Sequence, residues 1–155
     1  MRNVDVVVLV AALGLVAYAL VGCGRRPASG VLASPTRTPG VLNPAVSPAT
    51  IGSTICRRGW TATVRPPTSY TTALKLEQMR SYRETGSPSS YQEDHLISLE
   101  LGGDPTDPRN LWPEPYPRAS SVDQIENDLN AQVCSGALSL ADAQRKESEL
   151  KHDYG

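Results

Sequence analysis

The sequence predicts a small α+β domain that follows an apolar segment and a proline-rich linker. Three observations support this division. Residues 6–21 contain no charged side chain, residues 24–53 are rich in Pro, Ser and Thr, and the remainder combines short apolar runs with helical periodicity. We therefore place a hydrophobic N-terminal segment at 1–23, a linker at 24–53 and one folded domain at 54–155.

Composition limits the functions open to this domain. The formal net charge of the 155-residue chain is -1, so contact with a polyanion such as nucleic acid requires a local basic patch. Aromatic residues make up 5% of the chain and Phe is absent, which predicts a thin hydrophobic core. Small domains with thin cores are often held together by a disulfide or a metal ion.

The N-terminal segment predicts export. Its apolar run is longer than a typical signal-peptide core and shorter than a typical membrane-spanning helix. Residues 20–23 resemble a bacterial lipoprotein box, which implies lipidation of Cys23 and a cell-envelope or secreted protein. Arg25 and Arg26 follow the run, so the alternative is a membrane anchor with the domain facing the cytoplasm. Five prolines in residues 24–53 predict a disordered tether.

The first part of the domain predicts two short β segments, at 54–56 and 60–64, followed by a helix over 69–83. Ser69 is the expected N-cap of that helix. Apolar residues recur along it at every third position and are expected to form its buried stripe: Ala73, Leu76, Met79 and Tyr82.

Two further helices are expected after residue 120. The first covers 121–133 and ends before Gly136. Its apolar face consists of Val122, Ile125, Leu129 and Val133. Ser139 and Asp142 have the spacing of a capping box at the start of the second helix, which runs to about residue 153.

Cysteine usage agrees with export. With Cys23 assigned to lipidation, Cys56 and Cys134 remain, and an even pair in a small exported domain predicts a disulfide. The alternative, two free thiols, accompanies the cytoplasm-facing topology. The chain contains no C-x-x-C pair, so a zinc knuckle is not expected.

The chemistry is concentrated in residues 91–117. A strand over 91–97 carries Asp94 and His95 and leads into a loop with a Gly102-Gly103 turn. A short return strand at Asn110 precedes three prolines, which are expected to stop it. The predicted order is strand, loop, strand and helix.

Asp94-His95, Gly102-Gly103 and Asn110-Leu111, in this order, resemble the HNH, or ββα-metal, nuclease family. The Asp-His-Leu-Ile, Leu-Gly-Gly and Asn-Leu-Trp-Pro segments are similar to those of small exported bacterial HNH-nuclease-like proteins. The resemblance implies a ββα-metal core with flanking helices and a hydrolase that cleaves phosphodiester bonds of nucleic acid, with DNA favoured over RNA as the substrate. It implies no small-molecule cofactor.

The resemblance also assigns roles to residues. His95 is the expected general base, Asp94 a ligand of a divalent metal, and Asn110 the residue that orients His95. Carboxylate ligands favour Mg²⁺ or a similar ion, with Mn²⁺ and Zn²⁺ as alternatives. Arg109, beside Asn110, is the expected phosphate contact.

The expected second metal ligand departs from the family pattern. The family usually supplies it as His or Asn from the helix after the second strand, but this helix contains no histidine. Glu126 is the preferred candidate and Asp123 the second, with Asn127 also in reach. The alternative function is therefore a catalytically inactive HNH-fold lipoprotein that serves as an envelope binding module, in which His95 has a structural role.

Overall fold

The computed structural model describes residues 32–116 and 118–154, so the apolar segment and Cys23 lie outside the described part. The mixture of helices and a two-stranded sheet confirms the α+β class. The main elements are helices α1 Trp60–Val64, α2 Thr68–Tyr82, α3 Arg118–Cys134 and α4 Leu140–Asp153, and strands β1 Tyr91–His95 and β2 Leu111–Pro115. Among these residues no helix combines the length and the apolar character needed to cross a membrane.

The two strands pair antiparallel, with Tyr91 opposite Pro115 and His95 opposite Leu111. The expectation that prolines end the second strand before Pro113 is wrong, since β2 includes both Pro113 and Pro115. Hydrogen bonds from Leu96 to Asn110 and from Tyr116 to Ser90 flank the pairing and show that even-numbered residues of β2 bond to β1. The prolines occupy the alternate positions, where a missing N–H removes no ladder bond.

The β segments predicted at 54–56 and 60–64 are also wrong. Residues 51–53 form a single 3₁₀ turn, and Trp60–Val64 is the short helix α1. Arg65 donates its backbone N–H to the Thr61 carbonyl, as in a helix. Within residues 32–116 and 118–154 no strand lies beside this segment to pair with its β-branched residues, and β propensity depends on such neighbours.

Helix α2 begins at Thr68, directly after Pro67, rather than with Ser69 as its N-cap. Its buried residues are Leu74, Gln78 and Met79, whereas Leu76 is 42% exposed. A strict three-residue spacing drifts around a helix that turns every 3.6 residues, so only Met79 of the predicted stripe is buried.

Residues 32–53 correct the prediction of a disordered tether for that part of the linker. Ala33 and Thr38 are buried. Thr38 Oγ1 lies 2.7 Å from the hydroxyl of Tyr82, and Leu42 forms an isolated β bridge with Gly103. The segment is ordered by backbone and hydroxyl hydrogen bonds to the domain, which a count of apolar residues does not detect.

The C-terminal half follows its predicted elements, except that α3 begins at Arg118 rather than at Ser121. In α3 the predicted face residues Val122, Leu129 and Val133 are buried, while Ile125 is 38% exposed. Gly136 has a φ of 78° after the helix, and the Ser139 side chain accepts the backbone N–H of Asp142 at the start of α4. The role of Ser139 as the N-cap of α4 is thus confirmed.

The principal hydrophobic cluster lies between helices α3 and α4 and the loop after β1. It contains Ile55, Ile97, Leu101, Leu129, Val133, Leu140 and Ala143. The predicted Cys56–Cys134 disulfide is formed beside it and links positions 78 residues apart. Closing a loop of that length contributes about 4 kcal/mol in the chain-entropy model.

Candidate functional site

His95 is the last residue of β1 and is 6% exposed. Its Nε2 lies 3.1 Å from the Pro105 carbonyl oxygen. Because a carbonyl only accepts, Nε2 carries the proton and Nδ1 remains an acceptor in the neutral ring. Burial lowers the pKa of His95, and the charges of Lys151 and Arg65 lower it further. The hydrogen bond to the Pro105 carbonyl and the charge of Asp94 raise it, but by less. The imidazole is therefore neutral at physiological pH.

Asn110 closes the loop that carries the Pro105 carbonyl. Its Oδ1 accepts from the Ile97 backbone N–H, and its Nδ2 donates to the carbonyls of Ile97 and Asp104, each at 3.0 Å. The residue is fully buried. Asn110 is thus connected to His95 through the loop, since Asp104 immediately precedes Pro105.

The glycine turn allows this loop to close. A Cβ on Gly103 would lie 1.8 Å from the Ile97 carbonyl oxygen and 2.6 Å from Asn110 Nδ2. Gly102 has a φ of 80°, and a Cβ there would lie 2.5 Å from Val46. Only glycine permits both the approach at 103 and the left-handed backbone at 102.

Asp94 contacts a buried ammonium group from the end of α4. Lys151 Nζ lies 2.9 Å from Asp94 Oδ2 and 2.6 Å from Glu126 Oε1. The same nitrogen donates to the His95 backbone carbonyl and lies 3.4 Å from Glu147 Oε1. The structure therefore brings together Asp94 and Glu126, as expected, but with Lys151 between them.

Sequence reasoning missed Lys151 and Glu147, although the sequence contained an indication of their burial. Leu140, Ala143, Glu147 and Lys151 follow one another at helical spacings of three, four and four residues. All four are buried. Two opposite charges that continue an apolar helical stripe indicate a buried ion pair.

The charges in this cluster are set by burial and by mutual attraction. Burial lowers the pKa of Lys151, but Asp94, Glu147 and Glu126 outweigh it and hold the pKa well above its usual range. Burial raises the pKa of Asp94, but Lys151 and His95 outweigh that effect and lower it. Burial raises the pKa of Glu126 to about 9 against the attraction of Lys151. Asp94 and Lys151 are the ionised pair at neutral pH.

Two further carboxyl groups of the sheet favour their neutral form. Burial, followed by the charge of Asp94, raises the pKa of Glu114 to about 8. The Glu114 oxygens accept no hydrogen bond from the described residues, whereas a protonated Glu114 can donate to Asp94. Burial also raises the pKa of Glu93 to about 8, although Lys75 lowers it.

A polar cleft of about 310 Å³ opens beside this cluster. The predicted residues Asp94, His95, Asp123, Glu126 and Asn127 all line it. Asp123 lies at the surface, and partial burial followed by the Asp94 charge raises its pKa. The cleft wall is thus rich in acidic groups around a neutral imidazole.

Arg65 is a cleft residue that sequence reasoning did not single out. It lines this cleft and a neighbouring one of about 250 Å³, and both clefts also include Gln92, Asp94 and His95. Its guanidinium lies 3.9 Å from Glu100 and is 59% exposed. Arg109, the predicted phosphate contact, lines neither cleft and pairs with Asp107 at 2.6 Å.

The expected divalent ion does not fit the arrangement of Asp94 and Glu126. One side-chain oxygen of Asp94 and one of Glu126 lie within hydrogen-bonding distance of the Lys151 ammonium, so a cation already occupies the position between them. Across residues 32–116 and 118–154, no group of three or more His, Cys, Asp or Glu side chains is arranged to hold a metal ion.

Comparison of the chain with protein-family models, with curated proteins and with solved structures gives no significant match in any of the three.

Proposed function

We propose that this domain hydrolyses phosphodiester bonds of nucleic acid, with His95 as the general base. The observation that carries the proposal is the His95 ring, which is held through Nε2 by the Pro105 carbonyl and lines an open cleft. Its unprotonated Nδ1 can take a proton from a water molecule, which then attacks the phosphorus atom. Burial lowers the pKa of His95, so the base form is present at neutral pH.

We also propose that the two strands and α3 form an HNH-like core within the α+β fold. It is supported by the order of β1, loop, β2 and α3, with His95 at the end of the first strand and Asn110 directly before the second. The loop hydrogen bonds of Asn110 agree with the orienting role that the resemblance implies.

Arg65 is the proposed phosphate contact. It is the cation that lines both clefts beside His95, and its exposed guanidinium can form a bidentate pair with a phosphate. The acidic residues around it disfavour a polyanion, so we expect weak and strongly salt-dependent binding of DNA. No step is assigned to a metal ion, because Lys151 occupies the space between Asp94 and Glu126.

A second candidate function is a catalytically inactive module that binds a partner in the cell envelope. The acidic cleft favours it, because Glu100 and Asp123 line a space that attracts cationic groups more readily than phosphates. In this case the His95 ring holds the loop at Pro105 and does not act on a substrate.

We propose for both candidates a location outside the cytoplasm. The Cys56–Cys134 disulfide supports export, since disulfides persist mainly in oxidising compartments. Mass measurement of freshly isolated protein under non-reducing conditions tests this placement. Two free thiols would contradict it and would favour a domain that faces the cytoplasm.

Plasmid nicking by the purified protein tests the hydrolase. We expect nicking by the wild type and a loss of at least about 100-fold in His95→Ala. Lys146→Ala, an exposed change on α4, is the matched control and should nick like the wild type. Parallel reactions with Mg²⁺, with Mn²⁺ and with a chelator measure the metal requirement. Equal nicking by wild type and His95→Ala rejects His95 as the base, and no nicking under any condition favours the binding module.

A further inference from the structure

We propose that Lys151 is the resident cation of the acidic site, held by the chain where Asp94 and Glu126 would otherwise bind a divalent ion. This inference concerns the cation alone and does not require that the domain hydrolyses any substrate. It predicts that the wild-type protein binds no divalent ion between these two carboxylates.

The hydrogen bonds of Lys151 account for the whole ammonium group. A lysine has three N–H donors, and Nζ has three close acceptors: Asp94 Oδ2, Glu126 Oε1 and the His95 carbonyl. The distances to the two carboxylates are 2.9 Å and 2.6 Å, in the range of charge-assisted hydrogen bonds. Nothing further is needed to satisfy the donors.

Burial makes the ammonium a permanent part of the site. The Lys151 side chain is 0% exposed, and those of Asp94 and Glu126 are each 10% exposed. A buried ammonium is costly unless it is paired, so removal of its partners or of the lysine leaves uncompensated charge. A dissolved ion therefore cannot displace it without disrupting the interior.

Helix α4 holds the ammonium in place through contacts on both sides of Lys151. Glu147 accepts the Ser98 backbone N–H at 3.0 Å, and Gln144 Nε2 donates to the Leu101 carbonyl at 2.9 Å. His152 Nε2 donates to the Thr38 carbonyl at 2.9 Å. These bonds anchor the helix to the loop after β1 and to residues 32–53, so the position of Nζ does not depend on Asp94 and Glu126 alone.

The same oxygens would form a cation site without the lysine. Asp94 and Glu126 each have a side-chain oxygen within 2.9 Å of Nζ, and the His95 carbonyl adds a third oxygen. Oxygen donors of this kind suit Ca²⁺, Mg²⁺ and Mn²⁺. Replacement of Lys151 by alanine removes the positive charge and leaves space between the carboxylates.

Thermal unfolding of wild type, Lys151→Ala and Lys146→Ala in the presence and absence of millimolar Ca²⁺ or Mn²⁺ tests the inference. We expect no change of Tm with the ions in the wild type and in Lys146→Ala, which alters an exposed lysine of the same helix. Lys151→Ala should unfold at a lower temperature without ions and gain several degrees when they are added. A folded Lys151→Ala protein with no response to either ion overturns the inference.

Mn²⁺ titration followed by electron paramagnetic resonance keeps the inference testable if Lys151→Ala does not fold. The wild type, Asp94→Asn and Glu126→Gln are compared. The measured quantity is the amount of bound Mn²⁺, which does not depend on nicking activity. Stoichiometric Mn²⁺ binding by the wild type that either substitution abolishes overturns the inference. Absence of such binding, or binding that both substitutions leave unchanged, supports it.

Discussion

Asn110 hydrogen-bonds to both backbone groups of Ile97, accepting from its N–H and donating to its carbonyl, each at 3.0 Å. The Asn110 side chain thus forms with Ile97, two residues after the end of β1, the pair of hydrogen bonds that the backbone of a neighbouring strand would otherwise form. The same amide also donates to Asp104, so it fixes the loop between the strands at both ends. The Pro105 carbonyl that holds His95 depends on this closure.

Asn110→Ala should therefore destabilise the fold strongly. The substitution leaves the Ile97 N–H and the Ile97 and Asp104 carbonyls without partners, and each unsatisfied buried group costs about 1–3 kcal/mol. We expect a loss of roughly 3 kcal/mol in the free energy of unfolding, measured by urea titration. Asn127→Ala is the control, since that exposed side chain donates only to the Asp123 carbonyl, and its effect should stay below about 0.5 kcal/mol. Equal losses in both variants would contradict the role of Asn110.

Gly103→Ala should be among the most damaging small substitutions. The added Cβ would lie 1.8 Å from the Ile97 carbonyl oxygen, so the backbone must move and the Asn110 bonds must break. Gly52→Ala is the matched control, because a Cβ at that position meets no atom within 4 Å. Thermal unfolding should show a large decrease of Tm for Gly103→Ala alone. A similar Tm for the two variants would show that the loop accommodates the methyl group.

Arg65 and Arg109 should differ in their effect on nucleic-acid binding, if the proposed hydrolase is correct. Arg65 lines the cleft beside His95, whereas Arg109 is occupied by Asp107 outside it. Arg65→Gln should weaken DNA binding and reduce the salt slope of the affinity by about 1, as expected for one lost phosphate contact. Arg109→Gln should leave both unchanged. Fluorescence anisotropy at several salt concentrations measures this, and the opposite ranking would restore Arg109 as the contact.

Stability should fall as the pH rises from about 7 to about 8. Glu114 binds its proton in the folded state up to a pKa of about 8, whereas in the unfolded chain it loses the proton near its usual value of 4.5. Between these values the folded state holds more protons, so a rise in pH favours unfolding, by about 1 kcal/mol per pH unit for one group. Glu93 and Glu126 act in the same direction. The lowered pKa of His95 makes stability rise with pH, but only below the usual histidine pKa of 6.5.

Glu114→Gln separates the contribution of this group. Glutamine resembles the neutral carboxyl and does not titrate, so the pH slope of the unfolding free energy should be shallower than in the wild type. Glu149→Gln, at the exposed end of an ion pair with Arg145, should keep the wild-type slope. Urea unfolding at several pH values between about 7 and 8 measures both slopes. Identical slopes in Glu114→Gln and the wild type would show that Glu114 is not the group whose titration causes the pH dependence.

Much of the central fold could be predicted from the sequence because its determinants are local. Alternation and turn residues indicated β1, the glycine turn, β2 and α3 in the observed order. Ser139 and Asp142 indicated the start of α4 through a three-residue spacing. The segments at 54–56 and 60–64 were misassigned because short runs carry little periodicity and their conformation depends on neighbours.

Part of the candidate site was also predictable. His95, Asp94, Asp123 and Glu126 line one cleft, because the end of β1 faces the helix that follows β2. Arg109 lies outside this cleft and the neighbouring one, and its guanidinium pairs with Asp107, two residues away. The adjacency of Arg109 to Asn110 in the chain gave no information on that pairing.

The sequence by itself determined the glycine turn after His95, the pairing of Cys56 with Cys134, the end of α3 and both ends of α4. Only the tertiary structure decided that residues 32–53 pack against the domain and that Lys151 lies between Asp94 and Glu126. The lysine is 57 residues from Asp94 and 25 from Glu126. A lysine near the end of a charged helix ordinarily remains in water, because burial of its ammonium is favourable only when carboxylates from distant segments converge on it.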